Sequence, residues 1–299
     1  MKNLFTTTLI AILITSFMMP KKANKKVNVE TLEFIKINRI DSMPQVVFWR
    51  KIMNLSGDSC IVNLHKSRTI LSTMNYSIWD GFKGDQKLRI LDSLIGIHCL
   101  IDSPRIVGTQ GKNYFYTFEK LTEKIPTGMK AFENNAVDGW YAKAILLIES
   151  PNQLQRSPTG AYGAFQLMPS VARKFGLIVN KKTDERANFN RSAFAASELI
   201  KTICIPYAKS MLYELDSSEI NENDLWFKLL VMHVYNAGAG NVRSALLSIP
   251  EPKKDMDLIY QLWNTNYGRF QNSSQNYSQL ILAAFLEYEV RVESKISNN

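Results

Sequence analysis

The second half of the chain carries apolar residues at helical spacing, and this pattern constrains its fold more than any other feature. The pattern is clearest before Glu149, where the residues sharing one helix face are Val137, Trp140, Tyr141, Ala144, Ile145 and Ile148. Spacings of three and four residues place side chains on the same side of a helix. Asp138 is a suitable N-cap for this helix. The sequence therefore predicts a mainly α-helical domain from about residue 131 onward.

Further helices are predicted in the same region, and capping or breaking residues mark their ends. Asn190 and Asn223 are candidates for the N-caps of two helices. Gly176 and Gly238 are candidates for the ends of two helices, and Pro206 is expected to break or kink one. The predicted segments are 170–176, 190–203, 223–235, 242–247, 255–263 and 275–293. With the helix before Glu149, they predict a domain of six or seven helices.

Glu149 stands at the end of an apolar run, and Ser150 and Pro151 follow it directly. Because proline disfavours the α region for the residue before it, we expect the helix to stop near Ser150. Aliphatic neighbours and the negative end of the helix dipole both favour a protonated carboxyl, so the pKa of Glu149 should be raised. A glutamic acid of this kind suits general acid catalysis. The alternative is a solvated surface residue, which is the commoner role for a glutamate near a helix end.

Two motifs follow Glu149 along the chain. Residues 157–169 read Ser-Pro-Thr-Gly-Ala-Tyr-Gly-Ala-Phe-Gln-Leu-Met-Pro, and residues 233–242 read His-Val-Tyr-Asn-Ala-Gly-Ala-Gly-Asn-Val. With Glu149 and Ser150, these motifs resemble the SLT family of lytic transglycosylases, which share a goose-lysozyme-like catalytic domain. Residues 183–186, Thr-Asp-Glu-Arg, are similar to a segment of the membrane-bound D-type branch. The resemblance covers about residues 131–290 and implies a lysozyme-like helical catalytic domain over residues 131–299.

The chain departs from the family pattern at several positions. The segment between Glu149 and Ser157 is one residue shorter than usual, and Pro151 replaces the common glycine. Val234 replaces the alanine before Tyr-Asn, and residues 273–275, Ser-Ser-Gln, replace an acidic-Thr-Arg triplet. The last change removes a charge near the expected cleft, but none of the changes removes Glu149.

The resemblance implies that Glu149 is the catalytic residue and that peptidoglycan glycan strands are the substrate. Glycosidases usually use two carboxylates, yet the nearest other acids, Asp184 and Glu185, lie in a segment for which the resemblance implies a structural role. The implied reaction is therefore substrate-assisted. Glu149 protonates the oxygen between N-acetylmuramic acid and N-acetylglucosamine, and then acts as base on the C6 hydroxyl to close a 1,6-anhydro ring. No cofactor and no metal is expected.

Two other functions compete with this one: a hydrolytic muramidase on the same fold, and a catalytically silent protein that binds the cell wall. The resemblance also places six residues at the substrate, namely Ser157, Gln166, Met168, Tyr235, Asn236 and Tyr277. For several of them an ordinary structural role is the alternative. Ser157 could belong to a turn, Gln166 could be a capping or core amide, and Met168 could fill the core. Tyr235 and Asn236 are expected at a helix end, with their polar groups facing the cleft near Glu149.

The N-terminal segment predicts export. Residues 4–19 are apolar over the length of a signal-peptide core, which is short for a membrane span, and basic residues follow at 21–26. Residues 1–26 are thus a signal peptide or an N-terminal anchor. We expect the periplasm or cell envelope as location, and favour cleavage because the basic cluster follows the apolar segment. The net charge of +9 makes the membrane surface and other envelope proteins further candidate partners, whereas no nucleic-acid-binding motif is present.

Residues 27–130 are predicted to form a smaller accessory α or α+β module of unknown type. Helical spacing marks residues 89–100, and two strand-like runs at 106–108 and 114–118 flank a turn, which predicts a β-hairpin. The module either supports the catalytic domain, which we favour, or binds glycan. Cys60 and Cys99 could form a disulfide inside it, or all three cysteines could be buried thiols.

Overall fold

The chain is described by a computed structural model for residues 23–102, 104–149 and 156–293. It is mainly α-helical with one small sheet, which confirms the predicted fold class. The elements of the N-terminal part are α1 (Ala23–Ile37), α2 (Pro44–Asn54), β1 (Ser59–Leu64), β2 (Ile70–Asn75), α3 (Tyr76–Gly81), α4 (Gly84–Ile97) and β3 (Ile106–Gln110). The helices that follow are α5 (Lys124–Asn134), α6 (Gly139–Glu149), α7 (Pro169–Lys174), α8 (Phe189–Leu199), α9 (Ile205–Leu215), α10 (Leu225–Ala237), α11 (Ala239–Leu247), α12 (Met256–Asn264) and α13 (Asn272–Tyr288).

Two helices that are apolar nearly all round, α6 and α10, lie at the centre of the protein, because such helices are stable only when other elements cover them. In α6 every residue from Gly139 to Ile148 is buried, and in α10 every residue from Leu225 to Val234 is buried. Helix α13 packs against both of them and also against α2. The catalytic candidate Glu149 is the last residue of α6, so the most buried helix of the fold positions it.

The helix predictions after residue 131 are confirmed in outline. The sequence does not predict α9 as a separate helix, and it misplaces the caps of α8 and α10. Asp138 caps α6 as predicted, because its Oδ1 accepts from the backbone N–H of Trp140 at 2.9 Å. Asn188, not Asn190, caps α8, and Asp224, not Asn223, precedes α10. Pro206 does not end the helical segment: a single π-helical turn is followed by α9, which has this proline in its first turn. The helical backbone is continuous through this turn, so the predicted break or kink takes the form of the π-helical geometry at Ile200–Cys204, just before the proline.

The predicted β-hairpin is wrong. Strand β3 pairs with β1, which also pairs with β2, so the sheet has the antiparallel order β2-β1-β3. Strand β1 is buried over its four central residues and takes the middle position. After β3 the chain turns away at Gly111, where an added Cβ would lie 2.2 Å from the carbonyl oxygen of Ser56. Residues 114–118 therefore continue into turns and a 3₁₀-helix rather than a partner strand.

Neither expectation for the cysteines holds. Cys60 and Cys99 are free thiols, so the possible disulfide between them is absent, and Cys99 is exposed, so the three cysteines are not all buried. Cys60 lies in the central strand β1, whereas Cys99 follows the end of α4 with a left-handed backbone φ of 48°.

The predicted leader falls largely outside the described residues. The apolar segment 4–19 and Pro20 lie outside them, and α1 begins at Ala23, within the predicted segment 1–26. Within residues 23–102, 104–149 and 156–293, no helix combines the length and the apolarity needed to cross a membrane. Helix α5 runs through residue 130, so the predicted change of module there coincides with no break in secondary structure.

Candidate active site

The carboxyl group of Glu149 and the hydroxyl of Tyr277 form the centre of the candidate site. Tyr277, on α13, donates a hydrogen bond of 2.8 Å to Oε1 of Glu149, at the end of α6. Burial raises the pKa of Glu149 above its usual value, while the hydrogen bond from Tyr277 acts in the opposite direction. Burial disfavours the charged form, and a donated hydrogen bond stabilises it. The raised pKa predicted from the sequence is therefore confirmed in direction, with burial as its main cause.

Three tyrosines lie near enough to this carboxyl group for its charge to affect them. The negative charge of Glu149 adds to burial in raising the pKa of Tyr277, Tyr235 and Tyr116. These side chains come from α13, from α10 and from the N-terminal part of the chain, respectively. All three hydroxyls stay protonated at neutral pH, and Tyr277 is the one that donates to the carboxyl group.

The loop over residues 156–168 is held by a buried arginine. Arg186 is 2% exposed, and its Nη1 donates to the carbonyl oxygens of Gly160 and Leu167, each at 2.8 Å. Its Nε and Nη2 donate to the two carboxylate oxygens of Asp184 at 2.9 and 2.8 Å. A planar guanidinium supplies this fork of donors, which lysine cannot. Arg186 therefore holds the loop, at Gly160 and at Leu167, against the segment that includes Asp184.

Gly163 is required where this loop crosses the Arg186 backbone. Its φ is 88°, and an added Cβ would lie 2.0 Å from the carbonyl oxygen of Arg186. Glycine is therefore needed for two reasons: the left-handed backbone conformation, and the close approach of two backbone segments. Tyr162 and Leu167 on either side form an antiparallel bridge that closes the loop.

Asp184 and Glu185, the nearest alternatives for a second catalytic carboxylate, have structural partners. Asp184 accepts from Arg186 and from Arg156, and these bonds lower its pKa to about 2. Glu185 accepts from the backbone N–H of Ile178 at 2.6 Å, which also lowers its pKa. Both groups therefore remain ionised at neutral pH, and their contacts support the structural role expected for this segment.

The Tyr235 hydroxyl makes a different contact from the one expected. It donates at 2.5 Å to the carbonyl oxygen of Phe165, in the loop, whereas the sequence predicts that it points toward Glu149. Ser157 has the contacts of its alternative role in a turn, since its Oγ accepts from the backbone N–H of Ala161 at 2.9 Å. These two residues shape the loop beside the carboxyl group.

The other predicted substrate residues lie in the loop or at helix ends. Gln166 has a left-handed φ of 46°, and its Nε2 donates to the carbonyl oxygen of Gly163 at 3.0 Å. Met168 is 38% exposed at the start of α7, and Asn236 is exposed near the end of α10. Met168 is thus not core filler, and both side chains are accessible to a ligand. Ser150 and Pro151, and the shortened segment up to residue 155, lie outside the described residues.

Comparison with known proteins identifies the central part of the chain. Residues 129–257 match the family model described as the transglycosylase SLT domain. These residues are a transglycosylase SLT domain. No curated protein sequence matches the chain. The match is to the SLT domain as a whole and does not assign the D-type branch.

One solved structure that aligns with the chain is the X-ray structure of an inactive mutant of the lytic transglycosylase Slt from Pseudomonas aeruginosa. The alignment has 18% sequence identity and a TM-score of 0.37. It covers 70% of this chain and 28% of that chain, so this protein spans little more than a quarter of that one.

The SLT domain supplies only part of the candidate site. Glu149, the loop, Arg186 and Tyr235 lie inside the matched residues 129–257, whereas Tyr277 on α13 lies beyond them. Tyr116 lies before them. The sequence patterns did not reveal Tyr116, because a tyrosine in an aromatic run gives no sign of its distance from Glu149. The sequence marks Arg186 only as part of a segment similar to the D-type branch, and its role in holding the loop becomes visible in the structure.

Proposed function

We propose that this protein is a peptidoglycan lytic transglycosylase in which Glu149 is the single catalytic acid and base. The observation that carries the proposal is the carboxyl group of Glu149, whose pKa is raised by burial, within an SLT domain. A carboxyl group with a raised pKa can donate a proton near neutral pH, which is the requirement for a general acid.

In the first step, Glu149 gives its proton to the glycosidic oxygen between N-acetylmuramic acid and N-acetylglucosamine. The bond from C1 to this oxygen breaks, and the acetamido oxygen of the muramic acid forms a bond to C1. The hydrogen bond from Tyr277 stabilises the carboxylate that results, since hydrogen bonds to a charged group are the stronger ones.

In the second step, the carboxylate of Glu149 takes the proton of the C6 hydroxyl. The C6 oxygen attacks C1, the acetamido group is restored, and a 1,6-anhydro ring closes without water. One carboxylate is enough for both steps. Burial and the Tyr277 hydrogen bond determine the pKa of Glu149, and no second carboxylate in the described part of the chain perturbs it. The residues 150–155 that follow are Ser-Pro-Asn-Gln-Leu-Gln, which include no acid.

Ser157, Gln166, Met168, Tyr235, Asn236 and Tyr277 are proposed to contact the sugars. The exposed thioether of Met168 can pack on a sugar face, and the exposed amide of Asn236 can bond to hydroxyl or acetamido groups. For Ser157 and Tyr235 the observed contacts imply a further role, because each holds the backbone of the loop that carries the other contacts.

Peptidoglycan lies outside the cytoplasmic membrane, so this function requires export. We propose that residues 1–26 act as the export signal and that the enzyme works in the periplasm or at the cell envelope. The apolar run at 4–19 supports this proposal, and the net charge of +9 favours contact with anionic envelope surfaces. Fractionation of cells followed by N-terminal sequencing tests it: recovery of a cytoplasmic protein with Met1 intact would contradict export.

Digestion of purified sacculi, with mass spectrometry of the released muropeptides, tests the reaction. Products that end in 1,6-anhydro-N-acetylmuramic acid are expected. Products with reducing ends would show that water is the acceptor and that the protein is a muramidase. Binding to sacculi without release of any product would show that the protein is a wall-binding protein.

A further inference from the structure

One buried cation of the N-terminal part has no role in the chemistry described above. Arg68 lies in the turn between β1 and β2 and is 5% exposed. Its backbone has a left-handed φ of 61°, a conformation that is costly for a residue other than glycine. A charged residue that is both buried and strained is unfavourable for stability, and such exceptions are expected mainly at functional sites.

The guanidinium of Arg68 binds helix α13. Its Nη2 donates to Oδ1 of Asn272 at 2.6 Å and to Oδ1 of Asn276 at 3.1 Å. The amide of Asn276 donates in turn to Oδ1 of Asn272 at 3.0 Å. The three side chains therefore form a closed set of hydrogen bonds over the first turns of α13.

Arg68 has aromatic and amide partners instead of a counterion. Its guanidinium lies 5.4 Å from the ring centre of Phe48 and 5.5 Å from that of Trp49, both on α2. It has no ion pair with a carboxylate in the described residues, and burial lowers its pKa to about 10. An apolar side chain would usually serve stability better than an uncompensated buried charge. The reason for an arginine at this position is therefore the geometry of its hydrogen-bond donors and not its charge.

The residue that follows Asn276 is Tyr277, whose hydroxyl bonds to Glu149. Asn272 and Asn276 are four residues apart and so share one face of α13. Tyr277 points about 100° away from Asn276 around the helix. A rotation or shift of the first turns of α13 would thus move the Tyr277 hydroxyl relative to the carboxyl group, whose own position is fixed by α6.

We propose that Arg68 is a positioning residue: by binding Asn272 and Asn276 it sets the rotation of α13, so that Tyr277 meets Glu149. This inference rests on the proposed function, and it gives the N-terminal part of the chain a specific role in the site. The hydrogen bonds of Arg68 go to Asn272 and Asn276 and not to the carboxyl group, so it acts through the helix.

The pKa of Glu149 reports this effect without requiring turnover. The titratable groups that interact with the charge of Glu149 are Tyr277 from α13, Tyr235 from α10 and Tyr116 from the N-terminal part. Of these, Tyr277 donates to the carboxylate, and this bond lowers the pKa of Glu149. Loss of the bond should therefore raise the pKa of Glu149 further.

The experiment is a titration of ¹³C-labelled glutamate carboxyl groups by NMR, with the Glu149 signal assigned from its absence in Glu149→Gln. Arg68→Met is expected to raise the pKa of Glu149 in the same direction as Tyr277→Phe. The double variant Arg68→Met with Tyr277→Phe should raise it no further than Tyr277→Phe alone. Arg68→Lys keeps the charge but not the fork of donors, so it should give a smaller shift in the same direction, and it replaces Arg68→Met if that variant does not fold.

Arg50→Met is the matched control. Arg50 also belongs to the N-terminal part and donates to α13, but at Glu287, with Nε at 2.7 Å from Oε1. Glu287 is ten residues beyond Tyr277, which is about 15 Å along the helix. Arg50→Met should lower the melting temperature and leave the pKa of Glu149 unchanged.

The positioning role is overturned if Arg68→Met and Arg68→Lys lower the melting temperature but leave the pKa of Glu149 unchanged. It is also overturned if the shifts from Arg68→Met and Tyr277→Phe add, because Arg68 would then act independently of Tyr277. Failure of the proposed function is a separate result, namely wild-type protein that releases no product from sacculi while its Glu149 still titrates.

Discussion

The hydroxyl of Tyr277 donates a hydrogen bond of 2.8 Å to Oε1 of Glu149, and this bond joins α13 to the end of α6. It opposes the effect of burial on the same carboxyl group: burial raises the pKa of Glu149, and the hydrogen bond lowers it. A group that must first donate a proton and then accept one works best when its pKa lies near the working pH. The balance of these two effects therefore adjusts Glu149 to its proposed double role.

Tyr277→Phe should remove the hydrogen bond that lowers the pKa of Glu149. Without the hydroxyl, the carboxylate loses a stabilising donor, so the pKa of Glu149 should rise. The limb of the pH–rate profile on which Glu149 loses its proton should then move to higher pH, and kcat should fall. Rates on sacculi measured across pH for both proteins test this. A profile with an unchanged limb would mean that Tyr277 does not act on the carboxyl group.

Tyr235→Phe should behave differently, because the Tyr235 hydroxyl bonds to the Phe165 carbonyl instead of the carboxyl group. The variant should lose about 1 kcal/mol of unfolding free energy and some activity through the loosened loop. The pH limb assigned to Glu149 should stay in place. Denaturant unfolding and a pH–rate profile measure both effects. A shift of this limb as large as that of Tyr277→Phe would instead support the contact with Glu149 that the sequence predicts.

Gly163→Ala should destabilise the protein strongly, since its Cβ would lie 2.0 Å from the carbonyl oxygen of Arg186 at a φ of 88°. Gly160→Ala is the matched control: its φ is 93°, but an added Cβ meets no atom within 4 Å. The control should cost only the backbone strain, about 1 kcal/mol or slightly more, and Gly163→Ala should cost clearly more. Thermal melts of the two variants test this. Equal losses of melting temperature would contradict the close approach of the Gly163 and Arg186 backbone segments.

Asp184→Asn should destabilise the fold by about 3 kcal/mol, because it leaves the buried Arg186 without its counterion. The pKa of Asp184 is lowered to about 2, below its value in an unfolded chain. A depressed pKa stabilises the folded state above the unfolded pKa, and this contribution is lost as the pH falls toward the folded pKa. The difference in stability between wild type and Asp184→Asn should therefore shrink between about pH 4 and pH 2. A difference that is constant across this range would contradict the pairing.

The sequence predicts those parts of the fold that depend on local patterns. The apolar faces, Asp138 as a cap and Gly238 as a helix end all follow from spacing and backbone preference, and the structure has them. The hairpin prediction fails because strand pairing depends on distant residues: β1, not the segment after β3, is the partner of β3. Pro206 correctly marks a departure from α-helical geometry, the π-helical turn Ile200–Cys204, but the local pattern does not show that the chain continues as a further helix, α9.

In the candidate site, too, local sequence patterns predict some features, while contacts between distant residues are not predicted. The position of Glu149 after an apolar run is a local signal, and it correctly predicts a raised pKa. The partners of the tyrosines are not local: Tyr277 reaches Glu149 from 128 positions away, and Tyr235 reaches Phe165 from 70 positions away. Such contacts depend on how α6, α10 and α13 pack, which no short motif encodes.

Glu149→Gln should keep the fold and gain stability relative to wild type as the pH rises. A glutamate whose folded pKa is raised binds protons more tightly when folded, so wild type loses stability as pH increases from the unfolded pKa through the folded one. Glutamine does not titrate and avoids this loss. Melting temperatures of both proteins across pH measure it. A difference in melting temperature between the two proteins that does not change with pH would contradict a raised pKa of Glu149.

The central claim is tested most directly by product analysis of sacculi digested with wild type, Glu149→Gln and Glu185→Gln. Glu185 is the control because it is an acid of the same domain whose contacts are structural. Wild type and Glu185→Gln should release 1,6-anhydromuropeptides. Glu149→Gln should do so at least about 100-fold more slowly, since its amide cannot deliver the proton. Release by Glu149→Gln at more than about a tenth of the wild-type rate would contradict Glu149 as the catalytic acid and base.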